Sequence, residues 1–145
     1  MPTRNDNIRL KRATRQREAV LNAVEQVDSH PSVEEVYRIV RKSIPKISLA
    51  TVYRNLHLLA EDGKLREVQF QGDVIRYDAI TGPHEHFYCR NCRAVWDIHR
   101  SLPKDAVRSI ERRMKSSVET YSLDYYGLCA KCARKKTTRK EPQSA

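Results

Sequence analysis

SLATVYRNLHLLAEDGKLREVQFQGDVIRYD, residues 48–78, changes its hydrophobic period part-way along, and that change decides the fold. Behind Ser48, a good helix N-cap, Val52, Leu56 and Leu59 recur at helical spacing, and Asp62-Gly63 ends the run. Val68 and Phe70 then alternate with polar residues, Gln71-Gly72-Asp73 turns, and Ile75 and Tyr77 alternate on the return, which predicts a β-hairpin. Upstream, Ala19, Val20, Ala23, Val24 and Val27 form a helical stripe after Thr14, and Asp28-Ser29-His30-Pro31 breaks it. Ser32 with Glu35 makes a capping-box pattern, opening a helix that buries Val33, Val36, Tyr37, Val40 and Ile44 before Pro45 closes it. Three helices followed by a hairpin predict a winged helix-turn-helix. Residues 1–13 are polar and basic without an apolar period and are expected to form a flexible arm.

The composition changes in the second half. His84, His86, Cys89 and Cys92 crowd together, 94–98 reads as a strand, 104–115 as a helix and 118–126 as a further strand. Cys129 and Cys132 follow, and 134–145 is expected to be a disordered basic tail. The expectation is therefore α+β: a winged-helix domain over 1–80 and a small α/β domain over 81–133.

The formal net charge of +10 favours a polyanionic partner, nucleic acid before an acidic membrane. No apolar run reaches the roughly 20 residues that span a bilayer. The charged N-terminus lacks an apolar signal segment, so the reading is cytoplasmic with no membrane partner. In that compartment four cysteines are better explained as metal ligands than as disulfides.

On the third helix the face opposite Val52, Leu56 and Leu59 carries Ala50, Arg54 and His57, flanked by Thr51 and Tyr53. A helix that reads double-stranded DNA in the major groove needs this layout, an apolar back and an outer face of donors and small residues. Such a helix covers few base pairs, so useful specificity calls for a homodimer on a two-fold-related site, with the second domain as the place for dimerisation.

Cys89-x-x-Cys92 and Cys129-x-x-Cys132 are two pairs whose four thiolates suit tetrahedral Zn(2+), in a closed shell with no position left for catalysis. His84 and His86 are two apart, so on a strand both imidazoles face one side and can meet one ion. Asp78 and Asp97 are candidate oxygen ligands, and His30 stands just before the second helix. A mixed nitrogen and oxygen shell suits iron(II), manganese(II) or zinc alike. An enzyme would need a nucleophile or general base within a motif, and none is visible; a zinc ribbon explains the cysteines but not His30, Asp78 and Asp97.

These pieces resemble the ferric uptake regulator family over roughly residues 10–133. Ser48–Leu56 looks like its recognition helix, His84–Cys92 like its HxHxxCxxC signature, and Cys129–Cys132 like its second cysteine pair. The resemblance implies an N-terminal winged helix, a C-terminal α/β dimerisation domain, a structural zinc on Cys89, Cys92, Cys129 and Cys132, and a regulatory metal that binds between the domains and draws the dimer into a shape that fits operator DNA. Within the family the peroxide-sensing branch uses His, Asp, His, His and Asp as regulatory ligands, and His30, Asp78, His84, His86 and Asp97 match all five. Iron-uptake regulators usually carry glutamate where Asp78 and Asp97 stand, and zinc-uptake regulators cysteine where Asp78 stands. By resemblance, Fe(2+) at that site reacts with hydrogen peroxide and oxidises His30 or His84, releasing DNA, whereas Mn(2+) supports repression without that reaction. The alternative is an iron- or manganese-responsive uptake regulator without peroxide chemistry. Some relatives hold a further metal beside HxH, which Glu85 would serve; here Tyr121 stands where a histidine is expected and Lys104 near where an acid is expected.

Overall fold

A computed structural model describes residues 4–99 and 102–138. The chain divides into two compact units, Met1–Thr81 and Gly82–Ala145. Together they are α+β, with five helices and two small sheets among the described residues.

In the first unit α1 spans Arg4–Glu25, α2 Val33–Ser43 and α3 Leu49–Glu61, followed by an antiparallel hairpin of β1 (Arg66–Gln69) and β2 (Ile75–Asp78). The helices bury Val20, Ala23, Val24, Val36, Val40, Val52, Leu56 and Leu59 against one another, and Ile47, Leu65 and Tyr77 complete the core. Each of these larger side chains contributes about 1.5–3 kcal/mol when fully removed from water. At α2 the capping box is closed: the Glu35 N–H donates to Ser32 Oγ at 3.4 Å and the Ser32 N–H to Glu35 Oε2 at 2.8 Å. At α3, Ser48 Oγ accepts from the Thr51 N–H at 3.1 Å.

The flexible arm expected over 1–13 is corrected from Arg4 onward, because α1 begins there. That stretch holds no glycine or proline, and its Arg, Lys, Leu and Ala residues are good helix formers that continue the packed part of α1 outward. Thr14 is inside the helix, its hydroxyl donating to the Leu10 carbonyl at 2.9 Å. Residues 1–3 lie outside the described residues.

The hairpin register places Val68 opposite Arg76 and Glu67 opposite Tyr77. The apolar residues of the two strands therefore do not share a face. Tyr77 reaches the core, while Ile75, beside it on that face, stays exposed. Gly72 takes a left-handed φ of 77° and Asp73 closes the turn, its N–H donating to the Phe70 carbonyl at 3.0 Å.

The second unit is a three-stranded sheet in the order β4 (Val95–Ile98), β3 (Glu85–Cys89), β5 (Asp124–Gly127), with β3 antiparallel to β4 and parallel to β5. Helix α4, Lys104–Met114, lies between β4 and β5 in sequence, and α5, Ala130–Thr138, follows β5. The disordered tail expected over 134–145 is corrected as far as Thr138, since α5 runs through Arg134, Lys135 and Lys136. Basic residues suit the last turn of a helix, where carbonyls concentrate partial negative charge. Residues 139–145 lie outside the described residues. The strand expected over 118–126 is shorter and later, because pairing with β3 starts only at Asp124. No helix among the described residues is long and apolar enough to cross a membrane.

Candidate metal centres

The four cysteines come together at one end of the second unit's sheet. The turn Cys89–Ala94 is a tight knuckle between β3 and β4: the Arg93 N–H donates to the Cys89 carbonyl at 2.8 Å and the Cys89 N–H to the Ala94 carbonyl at 3.0 Å. Arg93 adopts a left-handed φ of 61° to close it. Cys129 and Cys132 flank the start of α5, where the Ala133 N–H donates to the Cys129 carbonyl at 2.8 Å. All four sulfurs lie within 4.8 Å of one another, and Cys92 Sγ is 3.9 Å from Cys129 Sγ. Four sulfurs at about 2.3 Å from one ion stand about 3.8 Å apart in a tetrahedron, so the spacing fits zinc.

The electrostatics of this cluster call for a cation. Burial pushes the Cys89 thiol up, but N–H groups from Cys92, Cys129 and Asn91 outweigh it and hold it at about 6. One of these is the Cys129 amide, 3.3 Å from Cys89 Sγ. The Ala94 N–H pulls Cys92 down, yet burial and the neighbouring Cys89, Cys132 and Cys129 push it up to about 11. Successive thiolates crowded together repel, and a divalent ion removes that repulsion. The Asn91 side chain also donates to Cys132 Sγ at 3.3 Å.

Two histidines and an aspartate form a second group in the same unit. His86 and Asp97 face each other across the β3–β4 pair, and the His84 and His86 rings meet edge-on, 4.5 Å between centroids. His84 Nδ1 is 2.9 Å from the Gly82 carbonyl, which can only accept, so Nδ1 carries a proton, and in the neutral ring the lone pair is on Nε2. His86 Nδ1 is 3.0 Å from Asp124 Oδ1, which fixes the same tautomer. Both Nε2 atoms then point at Asp97 Oδ1, at 3.5 and 3.7 Å. Two lone pairs beside a carboxylate oxygen repel unless a proton or a cation stands among them. Imidazoles held through Nδ1 by a carbonyl and a carboxylate, with Nε2 presented, have the arrangement of metal-ligating histidines. The two side chains are 2% and 5% exposed, which excludes bulk water as the screening partner.

His30 and Asp78 pair in the first unit, His30 Nε2 being 3.5 Å from Asp78 Oδ2, with both residues buried. His30 sits in the left-handed region at φ 53°, and its carbonyl accepts from Arg76 Nη1 at 3.1 Å. Arg76 is itself anchored by Asp73 at 2.8 Å. Asp78 Oδ1 accepts from the Ile80 N–H at 2.7 Å, and Oδ2 lies 3.3 Å from Arg66 Nη2.

On α3, Ala50, Tyr53, Arg54 and His57 are exposed and Thr51 is half-buried, while Val52, Asn55, Leu56 and Leu59 are buried. His57 lies 3.5 Å from Glu61 and 4.0 Å from Glu67. The sequence reading missed Asp124, Asn91, Arg76 and Arg66. All four act as supports, and their partners stand far away in the chain or follow from turn geometry.

The ferric uptake regulator family model matches residues 9–126 of the chain. The chain belongs to this family. Among its relatives, the ferric uptake regulation protein of Bacillus subtilis is 37% identical over 129 residues, covering 86% of this chain and 87% of the relative. The peroxide operon regulator of the same organism is 31% identical over 124 residues, covering 86% of each. The crystal structure of the Campylobacter jejuni peroxide stress regulator superposes with a TM-score of 0.73 at 30% identity, covering 87% of this chain and 95% of that one. As a member of the ferric uptake regulator family the chain stands among regulators, not enzymes.

Proposed function

We propose that this family member is a cytoplasmic, metal-dependent repressor that binds palindromic double-stranded operator DNA as a homodimer and releases it when hydrogen peroxide oxidises a ligand histidine. The observation that carries the reading is the ligand set: His30, Asp78, His84, His86 and Asp97, with the His84 and His86 rings already turned to offer Nε2 beside Asp97. Cys89, Cys92, Cys129 and Cys132 hold a structural Zn(2+) that ties the β3–β4 knuckle to α5.

The first unit is read as a winged helix-turn-helix, with α3 as the reader and the β1–β2 hairpin as the wing. Ala50, Thr51, Tyr53, Arg54 and His57 face the major groove, Arg54 reaching guanine edges or phosphate and Tyr53 phosphate or a thymine methyl. Dimerisation is assigned to the second unit. Across its sheet, Phe87 stands in register with Trp96 on one side and Tyr125 on the other. Trp96 is 43% exposed and Tyr125 38%, so one sheet face presents an aromatic row that a second copy of the chain would cover.

In the regulatory site His84 and His86 donate through Nε2, Asp97 supplies negative charge, and His30 with Asp78 adds ligands from the first unit's residues, so that binding one Fe(2+) or Mn(2+) ion depends on both units. A metal with that dependence stabilises only the arrangement that satisfies all its ligands, which shifts the population towards the DNA-binding form. Iron(II) bound there supplies the electron chemistry by which peroxide adds one oxygen to the imidazole of His30 or His84, with water as the other product. The modified ring is a poorer donor, and the shift in population is lost.

The 37% identity to the ferric uptake regulation protein of B. subtilis supports a second reading, a metal-responsive uptake regulator without peroxide chemistry. Peptide mass spectrometry separates the two. The zinc-loaded protein is given iron(II) or manganese(II) and exposed to dilute peroxide. A gain of one oxygen on the peptides holding His30 or His84, in the iron sample alone, is expected. If neither sample is modified while iron still promotes DNA binding, the second reading holds.

A further inference from the structure

The second unit carries a pocket of about 490 Å³ lined by Pro83, Leu102, Lys104, Val107, Arg108 and Tyr121, and none of the candidate zinc or regulatory ligands lines it. That is the size range of small-molecule sites. Its character is set by few groups. Lys104 and Arg108 are one helical turn apart on α4 and share a face. Among the described residues neither belongs to an ion pair, although Asp105 and Glu111 are near in sequence. Tyr121 Oη accepts from the Leu102 N–H at 3.0 Å, so its own O–H proton points elsewhere and can donate. The other described lining residues, Pro83, Leu102 and Val107, are apolar, and no described lining residue is acidic.

We infer that this pocket binds a small organic carboxylate, its charged end between Lys104 and Arg108 and its apolar body against Pro83, Leu102 and Val107. The lining favours a carboxylate over the alternatives. A metal ion would meet two cations and no carboxylate. A bare inorganic anion would satisfy Lys104 and Arg108 but leave the apolar wall wet. A neutral apolar molecule would fill the space but gain nothing from the two exposed cations beside it. A carboxylate on a compact apolar body satisfies both parts, and the planar fork of Arg108 matches a carboxylate in two parallel hydrogen bonds.

The test uses the full chain with zinc bound, observed by amide NMR while benzoate is added at constant ionic strength. Benzamide serves as the neutral isostere and inorganic phosphate as the bare anion. Saturable shifts at Leu102, Lys104, Val107, Arg108 and Tyr121 are expected, with a Kd of roughly 1 mM, the level a ligand of this size reaches. Lys104→Gln and Arg108→Gln, at exposed positions, should each weaken benzoate at least tenfold while the rest of the spectrum stays unchanged. Equal binding of benzamide would make the pocket a simple apolar slot and overturn the proposal. Equal binding of phosphate would make it a charge patch and do the same, as would shifts confined to other residues or no saturation. None of these readouts needs a metal in the regulatory site, so failure here leaves the proposed function standing, and the reverse also holds.

Discussion

His86 has its Nδ1 held by Asp124 and its Nε2 beside Asp97, and the two ends of the ring have different jobs. Asp124 keeps the proton on Nδ1, so the lone pair stays on Nε2, where an ion can use it. Replacing Asp124 with Ala should therefore cost about 10–100-fold in manganese affinity while leaving the zinc content intact. Asp124→Asn, which still offers an oxygen acceptor, should recover much of that loss. Calorimetric titration of both variants decides it, and an unchanged affinity in the alanine variant would remove Asp124 from the site. The sequence could not have revealed this residue. His84-x-His86 is local and announces itself, whereas Asp124 meets His86 only because β5 pairs with β3 in one particular register. The cysteines were legible for the same local reason, and they carry their own test. Cys89 is held at about 6, well below a free thiol, so at pH 7.5 it is already a thiolate in the metal-free fold. Zinc binding should then release fewer than four protons per site, and the apparent affinity, which already falls with pH because Cys92 must lose its proton, should fall more steeply below about 6, where Cys89 regains its own. Calorimetry in buffers of different ionisation enthalpy counts those protons, and a full four would contradict the low value at Cys89.

At the level of elements, segments with a hydrophobic period were readable, the half-exposed α4 among them, and segments without one were not. The stripes of α2 and α3 were visible because those helices bury one face, and the closed capping box at Ser32 was written into residues three apart. The beginning of α1 was not, since Arg4 to Thr14 buries nothing and a solvated helix leaves no hydrophobic period to find. The hairpin shows a different limit: its two apolar alternations were correct strand by strand, but register put Val68 and Tyr77 on opposite faces. Turns are the third case. Arg93 at φ 61° stands where glycine would be unstrained, and nothing in Cys92-Arg93-Ala94 signals it. A left-handed residue with a Cβ costs about 1–2 kcal/mol. Arg93→Gly should therefore leave metal binding unchanged and stabilise the zinc-loaded protein by up to about 1 kcal/mol, offset in part by the extra freedom of glycine in the unfolded chain. Thermal unfolding measures this, and a clear loss of stability would mean that the Arg93 side chain contributes more than its backbone strain costs.

For the whole molecule, the proposed repressor requires two copies of the chain, and the composition provides an internal probe. Trp96 is the single tryptophan among 145 residues, and it belongs to the exposed aromatic row Trp96–Phe87–Tyr125. Phe87 and Trp96 are in tilted contact at 5.9 Å, and on the β5 side the Phe87 ring lies over Gly127, where a Cβ would meet it at 3.5 Å. The row is thus packed along the sheet and open outward, a surface of the kind that association removes from water. If a second copy covers it, the indole passes from water to a protein environment as the concentration rises through the dimer dissociation constant. Its emission should shift to the blue in step with the mass increase seen by analytical ultracentrifugation, and Trp96→Ala should raise that dissociation constant by at least about tenfold, the loss typical of a buried aromatic anchor. Removing zinc should weaken association as well, because the four thiolates tie β3 and β4 to the segment after β5 and so hold the sheet that carries the row. Association without any change in Trp96 emission would place the dimer contact on another surface, with α4, where Ile110 is 50% and Met114 66% exposed, as the next to examine.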